Sequence, residues 1–213
     1  GLRDILCCDL PDHLVINGQT IEVTGESDEL AGEFRVDGRT VPPQDVPGLT
    51  LLLKIGAMCN DAMVSVSGDK GISILGDPTE GALVAAAAKA GLDKERLQAA
   101  QPRLDEIPFQ SEKLYMVTLH PHDGKRVAYV KGATERLLSL SRQYLYKGQV
   151  VPLTEDHGRG IREANHTMAA DLEDIDIRCD PDLRGRFPPP FHHSLPDEGL
   201  ALLVEAGGHG GFE

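Results

Sequence analysis

The stretch GDPTEGALVAAAAKAG, residues 76–91, carries the clearest structural signal in this 213-residue chain. Asp77 is a residue type preferred at helix N-caps, and Pro78 falls at the first helical position, where proline is favoured. Alanine-rich sequence follows, and Gly91 is a typical C-terminal stop. The stretch therefore predicts a helix over residues 78–90.

The role of Glu80 has two interpretations. It lies three residues after Asp77, which is the spacing of a capping box, and its carboxylate would then serve only the helix end. Capping does not account for Thr79 or for Gly81, and a glycine in the first turn allows a ligand or another segment to approach. From the local sequence, capping and ligand recognition both stay open.

The composition excludes several classes of function. The formal net charge of −13 argues against a general nucleic-acid surface, because such surfaces are basic. No apolar run approaches the roughly 18 residues of a membrane-spanning helix, and the start GLRDILCCDL has no signal-peptide pattern. We expect no nucleic-acid partner, no direct membrane contact by this chain, and a monomer. The chain begins with Gly1 rather than methionine, so we expect a soluble fragment of a longer protein.

The cysteines and histidines indicate neither a disulfide framework nor a metal site. No CxxC pair occurs, and the eight histidines form no HExxH pattern. Reduced thiols are therefore expected at the four cysteines, which are Cys7, Cys8, Cys59 and Cys179.

Turn signals organise the N-terminal half. Asn-Gly at 17–18 and Asp-Gly at 37–38 each lie between apolar-alternating runs, as in β-hairpins. Residues 63–75 predict a strand, a turn and a strand around Gly68. Residues 42–62 predict a helix, introduced by prolines and Asp45, whose apolar face consists of Leu49, Leu52, Leu53 and Met58.

The second half continues the mixture of helices and strands. Residues 93–100 predict a short helix, and residues 115–121 and 126–132 predict two strands joined by a His-Asp-Gly turn. ATERLLSLSRQYL, residues 133–145, has the periodicity of an amphipathic helix.

The C-terminal region has a different texture. Residues 172–197 are rich in charges and prolines and predict an irregular or disordered insertion, and the apolar run at 198–206 predicts a final strand. Hairpins mixed with helices indicate an α+β fold, a mainly antiparallel twisted sheet flanked by helices. We expect one domain over residues 1–213.

Two further segments bring residue types that suit a nucleotide. Phe109 follows a proline in IPFQSEKLYM, and Lys131-Gly132 closes a strand in YVKGATE, where a glycine allows close approach to a ligand. With Glu80, they offer a ring for stacking on adenine, a carboxylate for its exocyclic amine and a cation for phosphates. From the residues alone, Phe109 could lie in the core, which is the commoner position of a phenylalanine flanked by apolar residues, and Lys131 could be an ordinary surface lysine.

Several segments, in order, resemble the nucleotide-binding domain of P-type cation-transporting ATPases of the calcium and sodium/potassium pump type. They are IEVTGESDELAGEFRVDGRTV, KIGAMCNDA, GDPTEGALVAAAAKAG, IPFQSEKLYMVTLH and YVKGATERLL, within residues 20–170. DPTEGAL with KGATE downstream is a specific combination. The resemblance implies that fold and an ATP site drawn from Glu80, Phe109, Lys131, Gly132, Thr79, Met116, Ala133, Ser111 and Lys113.

The resemblance also implies a function and its limits. Such a domain holds ATP, as Mg-ATP in the full-length pump, on the cytoplasmic side of a membrane. It positions the γ-phosphate for an aspartate on another domain, with the phosphorylation and actuator domains of the same pump as partners. The DKTGT motif with that aspartate does not occur here, so this chain alone should not turn ATP over. The alternative is a non-catalytic interaction or structural module without a nucleotide site.

Departures from the family pattern concern the phosphates. Leu114 stands where many members carry a lysine, with Lys113 the nearest lysine, and Ala201 stands where the family usually has an arginine. We therefore expect weak phosphate contact. We also expect Asp77 to cap its helix alone, leaving Glu80 to turn outward to the adenine amine.

Overall fold

The computed structural model of the protein describes residues 13–25, 31–66, 72–173 and 200–207. The turn expected around Gly68 and most of the predicted insertion, residues 174–197, lie outside the described residues.

The N-terminal sheet forms from the two predicted hairpins. Its strands pair antiparallel in chain order, and both Asn-Gly and Asp-Gly turns have the left-handed backbone that such two-residue turns require, with φ of 56° at Asn17 and 50° at Asp37. The prediction of two hairpins is confirmed. The strands are β1 (His13–Ile16), β2 (Gln19–Val23), β3 (Phe34–Val36) and β4 (Arg39–Thr40).

Three helices follow this sheet. The first, α1 (Leu49–Met58), begins later than the prolines suggested, because residues 43–45 form a short 3-10 turn and Gly48 interrupts with φ 90°. The predicted helix after Asp77 is confirmed as α2 (Pro78–Lys89), and the helix expected at 93–100 is α3 (Lys94–Ala100). Strands β5 (Met63–Val66) and β6 (Ile72–Leu75) pair antiparallel between α1 and α2.

A first core joins α1 and α2 to the N-terminal sheet. Ile21, Phe34 and Leu49 are almost wholly buried there. Helix α2 contributes mainly alanines, whose small side chains let it approach α1 closely. The alanine run that identifies α2 in the sequence therefore also sets how closely it packs.

A second four-stranded sheet packs against helices on both of its faces. Its strands are β7 (Asp105–Gln110), β8 (Tyr115–His122), β9 (Lys125–Ala133) and β12 (Leu200–Gly207). Their order is β12-β9-β8-β7 and every pair is antiparallel. One face packs on α1 through Met116 and Tyr129, and the other packs through Val117 and Val130 on Leu137. The final strand predicted at 198–206 is observed as β12.

The prediction of one helix over residues 133–145 is wrong in its second half. The helix, α4 (Thr134–Leu140), ends where the Ser141 hydroxyl donates to the Leu137 carbonyl. A hairpin follows, β10 (Gln143–Tyr146) and β11 (Gln149–Pro152), because Lys147 and Gly148 form a left-handed turn with φ 48° and 80°. A further helix, α5 (Glu155–Glu173), was not predicted.

The fold class is α+β, as expected. All strand pairs among the described residues are antiparallel, and five α-helices accompany them. In the part of the chain that the structure describes, every helix is too short or too polar to cross a bilayer.

A buried histidine lies in the second sheet. His120 is fully buried, with Nε2 2.9 Å from the Thr118 hydroxyl and Nδ1 3.0 Å from the Gln101 carbonyl oxygen. Burial lowers the pKa of His120 from its ordinary value of 6.5, with nearby Arg103 and Lys54 adding to the decrease.

We predict that His120 makes the fold acid-sensitive. Because its folded pKa lies below that of the unfolded chain, His120 contributes full stability above pH 6.5 and loses it as the pH falls below that value. His120→Gln should make the fall in unfolding free energy between pH 7 and 5, measured by urea denaturation, less steep. His166→Gln, at an exposed histidine of α5, is the control. An unchanged slope in His120→Gln would contradict this.

Candidate functional site

Glu80 lies in the first turn of α2 and is bound through both carboxylate oxygens. Oε1 accepts from the Lys131 ammonium at 2.5 Å, and Oε2 accepts from the backbone N–H of Asp61 at 3.0 Å. The Glu80 side chain is 20% exposed and that of Lys131 only 7%. The glutamate of the DPTEGAL motif and the lysine of the KGATE motif therefore form one partly buried ion pair.

Neither interpretation of Glu80 matches this geometry in full. Asp77 caps α2 by itself, its Oδ1 accepting from the backbone N–H of Thr79 at 2.9 Å and of Glu80 at 3.2 Å. The Glu80 carboxylate serves other segments, so it is not the return half of a capping box. It also does not turn outward as expected, because the buried Lys131 ammonium requires a counter-charge.

Lys131 occupies a core position on β9. It pairs across the strands with Met116, whose side chain is 1% exposed, and the Cys59 thiol donates to the Met116 carbonyl at 3.6 Å. Burial raises the pKa of the Cys59 thiol, and the positive charge of Lys131 only partly offsets this. The alternative that Lys131 is an ordinary surface lysine is excluded by its burial.

Asn60 fixes the loop that leads from α1 to this pair. It is fully buried, and its Nδ2 donates to the carbonyls of Gly56 at 2.9 Å and Glu80 at 2.7 Å. Its Oδ1 accepts from the Ala62 N–H at 2.8 Å. Asn60 was not predicted as a site residue, although it lies in the CNDA segment that contributed to the family resemblance.

Two cations converge on the Asn60 carbonyl. Lys94 Nζ donates to it at 2.8 Å and to the Ala62 carbonyl at 2.6 Å. Arg103 Nη2 donates to it at 2.9 Å. Burial, together with the neighbouring Arg103 charge, lowers the pKa of Lys94 to about 8. Neither residue was predicted, since no local motif marks a lysine that binds carbonyls from another segment.

Phe109 lies on β7, at the edge of the described sheet. Phe109 is 43% exposed, so the alternative of a core phenylalanine is excluded. The pairing of β7 with β8 shifts register between Ile107 and Gln110, which places Phe109 in a bulge. Beyond the bulge, one row of partners crosses the whole sheet, namely Gln110, Tyr115, Gly132 and Ala201. The Phe109 segment therefore lies at the same end of the sheet as Lys131.

Gly132 is explained by strand packing. A Cβ at this position would lie 2.3 Å from the Leu114 carbonyl oxygen and 2.6 Å from Tyr115 Cβ. Leu114 itself has a left-handed φ of 60°, and its carbonyl accepts from the Ala133 N–H at 2.9 Å. The glycine thus allows the β7–β8 turn to approach its α-carbon closely.

The remaining candidates differ in exposure. Thr79 and Ser111 are exposed, and Lys113 is half-buried in the turn between β7 and β8. Met116 and Ala133 are buried, so they belong to the packed core under the site rather than to its exposed surface.

Comparison with known proteins places this geometry in context. Residues 48–184 match the family model described as P-type ATPase, cytoplasmic domain N. A cation-transporting ATPase pma1 of Synechocystis is 38% identical over 185 residues, 79% of this chain and 20% of the relative. The human calcium-transporting ATPase type 2C member 1 is 31% identical over 199 residues, 86% of this chain and 21% of the relative. The chain thus spans about a fifth of these curated relatives.

We predict that Gly132→Ala destabilises the domain by about 1–3 kcal/mol or more, because backbone atoms of β8 occupy the space of the new methyl group. Gly160→Ala is the matched control, since a Cβ there meets nothing within 4 Å and α5 should gain up to about 1 kcal/mol. Thermal denaturation compares the two. Equal melting temperatures would show that β8 does not require the glycine.

Proposed function

The chain belongs to the family of P-type ATPase cytoplasmic N domains, and from this premise we propose that it binds ATP at the site formed by Glu80, Lys131 and Phe109. The observation that carries the proposal is the Glu80–Lys131 ion pair at the end of the sheet that also carries an exposed phenylalanine. An exposed ring on β7 and a charged, partly open pair on β9, at the same end of the sheet, offer an apolar and a polar surface for a nucleoside.

Each residue has a distinct proposed role. Phe109 stacks on adenine. Glu80 accepts from the exocyclic amine, because a carboxylate offers about four lone-pair positions and two are used by Lys131 and the Asp61 N–H. Lys131 holds the Glu80 carboxylate in place through their ion pair and adds positive charge beneath it. Lys113, in the adjacent turn, is the more accessible cation for phosphates.

In the longer protein, the proposed task is positioning. The domain would hold ATP with its γ-phosphate directed at an aspartate of the phosphorylation domain, on the cytoplasmic side of a membrane. The phosphorylation and actuator domains of the same pump would be its partners, and cation transport would be the activity of the whole. Mg²⁺ would arrive with ATP, and we assign it no ligand here, because no three His, Cys, Asp or Glu side chains cluster among the described residues.

We predict weak ATP binding without turnover, on the order of −4 to −5 kcal/mol, with ADP and AMP nearly equal. Phe109→Ala should weaken ATP binding at least about fivefold by removing the stacking ring. Its stability cost should stay under about 1 kcal/mol, against about 3–5 for a core phenylalanine, because Phe109 is 43% exposed. Backbone amide NMR titrations and urea denaturation measure both effects.

Leu104→Ala provides the matched control for Phe109→Ala. Leu104 is also an exposed apolar residue, 51% exposed just before β7, and has no proposed role in binding. Its replacement should leave ATP affinity unchanged. An unchanged wild-type amide spectrum with ATP would favour the alternative of a structural module, and steady phosphate release would indicate a self-sufficient enzyme.

We predict that Glu80→Gln reduces the preference for ATP over GTP by about 1–2 kcal/mol, since a carboxylate accepts from the adenine amine and repels the guanine carbonyl. The change should also cost about 1–3 kcal/mol of stability, because the Lys131 ammonium, 7% exposed, loses its counter-charge. Competition titrations and urea denaturation give the two values.

Asp77→Ala is the control for Glu80→Gln, because in the part of the chain that the structure describes Asp77 bonds only backbone N–H groups of the same helix turn and forms no hydrogen bond with the side chains of the ion pair. It should cost about 1 kcal/mol of stability and leave the base preference as it was. If Glu80→Gln keeps the ATP-to-GTP ratio of the wild type, Glu80 is not the base-reading residue.

A further inference from the structure

A single peptide unit, between Asn60 and Asp61, connects two cations to the carboxylate of Glu80. Its C=O accepts from Lys94 Nζ at 2.8 Å and from Arg103 Nη2 at 2.9 Å. Its N–H, on the opposite side, donates to Glu80 Oε2 at 3.0 Å. The cations and the carboxylate therefore act on the two ends of the same amide dipole.

This arrangement strengthens the hydrogen bond to Glu80. Positive charge at a carbonyl oxygen polarises the amide and makes its N–H a better donor, and hydrogen bonds in series reinforce one another in a site of low dielectric. The Lys94 ammonium bonds the carbonyls on both sides of Asp61, those of Asn60 and Ala62. It thereby holds the orientation of the peptide as well as its polarity.

We propose that Lys94 is a positioning residue that holds the Glu80 carboxylate through the 60–61 peptide and so contributes to the choice between adenine and guanine. The proposal rests on the proposed ATP-binding function. Lys94 does not touch the nucleotide in this scheme. Its effect reaches the base only by keeping Glu80 Oε2 in place, with Oε1 held separately by Lys131.

Lys94 is a better test position than Arg103. Arg103 also bonds the carboxylates of Asp61 at 2.7 Å and Glu106 at 2.5 Å, so its removal would disturb several side chains at once. Lys94 is bonded to backbone carbonyls alone in the contacts that the structure describes around it. A change at Lys94 therefore acts on the loop and on little else.

The chain contains a matched control lysine. Lys89 Nζ also donates to two successive backbone carbonyls, those of Thr24 at 2.8 Å and Gly25 at 2.6 Å, at the opposite end of α2 from Glu80. Lys89→Met therefore removes a comparable lysine–carbonyl contact far from the base-reading carboxylate. Any general effect of losing such a contact appears in both variants.

The experiment measures dissociation constants of the 213-residue chain for ATP and for GTP in the wild type, Lys94→Met and Lys89→Met. The ATP-to-GTP selectivity should fall about three- to tenfold in Lys94→Met, the size expected for weakening one hydrogen bond to a charged group. It should be unchanged in Lys89→Met. Wild-type selectivity in Lys94→Met, or an equal loss in both variants, would overturn the proposal.

A second measurement does not depend on nucleotide binding. The Asp61 amide proton of the nucleotide-free chain should move upfield in Lys94→Met and stay in place in Lys89→Met, because its bond to Glu80 weakens only in the first. If the wild type binds neither nucleotide, the proposed function fails, while an Asp61 shift that moves as expected still supports the link to Glu80. An unmoved Asp61 amide overturns that link, whatever the nucleotide result.

Lys94→Gln covers the case in which Lys94→Met does not fold. Glutamine keeps a donor near the Asn60 carbonyl and removes the charge, so both the Asp61 shift and the selectivity should change in the same direction by smaller amounts. Wild-type values for both in Lys94→Gln would overturn the role of the Lys94 charge.

Discussion

A lysine ammonium buried at the end of a sheet is the constraint on which this structure depends. Lys131 is 7% exposed, and a buried charge without a partner is costly, so β9 requires an acid within hydrogen-bond distance. Glu80 supplies it from the first turn of α2. The ion pair thereby joins the α1–α2 half of the molecule to the second sheet, and any ligand that uses Glu80 must share it with Lys131.

The loop between α1 and β5 contacts that ion pair directly, because its Asp61 N–H donates to the Glu80 carboxylate. The side-chain amide of Asn60 forms hydrogen bonds with the backbone of Gly56, Ala62 and Glu80. Its backbone carbonyl accepts from Lys94, on α3, and from Arg103, just before β7, and both bonds stabilise the loop. Glu80, Lys94 and Arg103 lie 20 to 43 residues from Asn60 in the sequence. The base selectivity proposed for the site therefore depends on the whole network, of which the DPTEGAL motif contributes only Glu80.

Local sequence predicted most of the fold for identifiable reasons. Asn17-Gly18, Asp37-Gly38 and the cap at Asp77 are signals whose backbone geometry is decided within a few residues, and all three appear as expected. The wrong prediction at residues 133–145 also arose from local signals. Helical periodicity continued across Ser141, and the turn signal at Lys147-Gly148, which lacks the usual asparagine or aspartate, was missed.

By itself, the sequence determined the α+β class, the antiparallel hairpins and the helix after Asp77, because turns, caps and periodicity are short-range effects. Through family resemblance it also selected Glu80, Phe109 and Lys131 as candidates. Only the tertiary structure decided that the Glu80 carboxylate pairs with Lys131 rather than facing solvent, and that Lys94 is linked to this carboxylate through the 60–61 peptide. Those contacts join residues 19 to 51 positions apart in the sequence, and the balance between burying a charge and pairing it exists only after the segments pack.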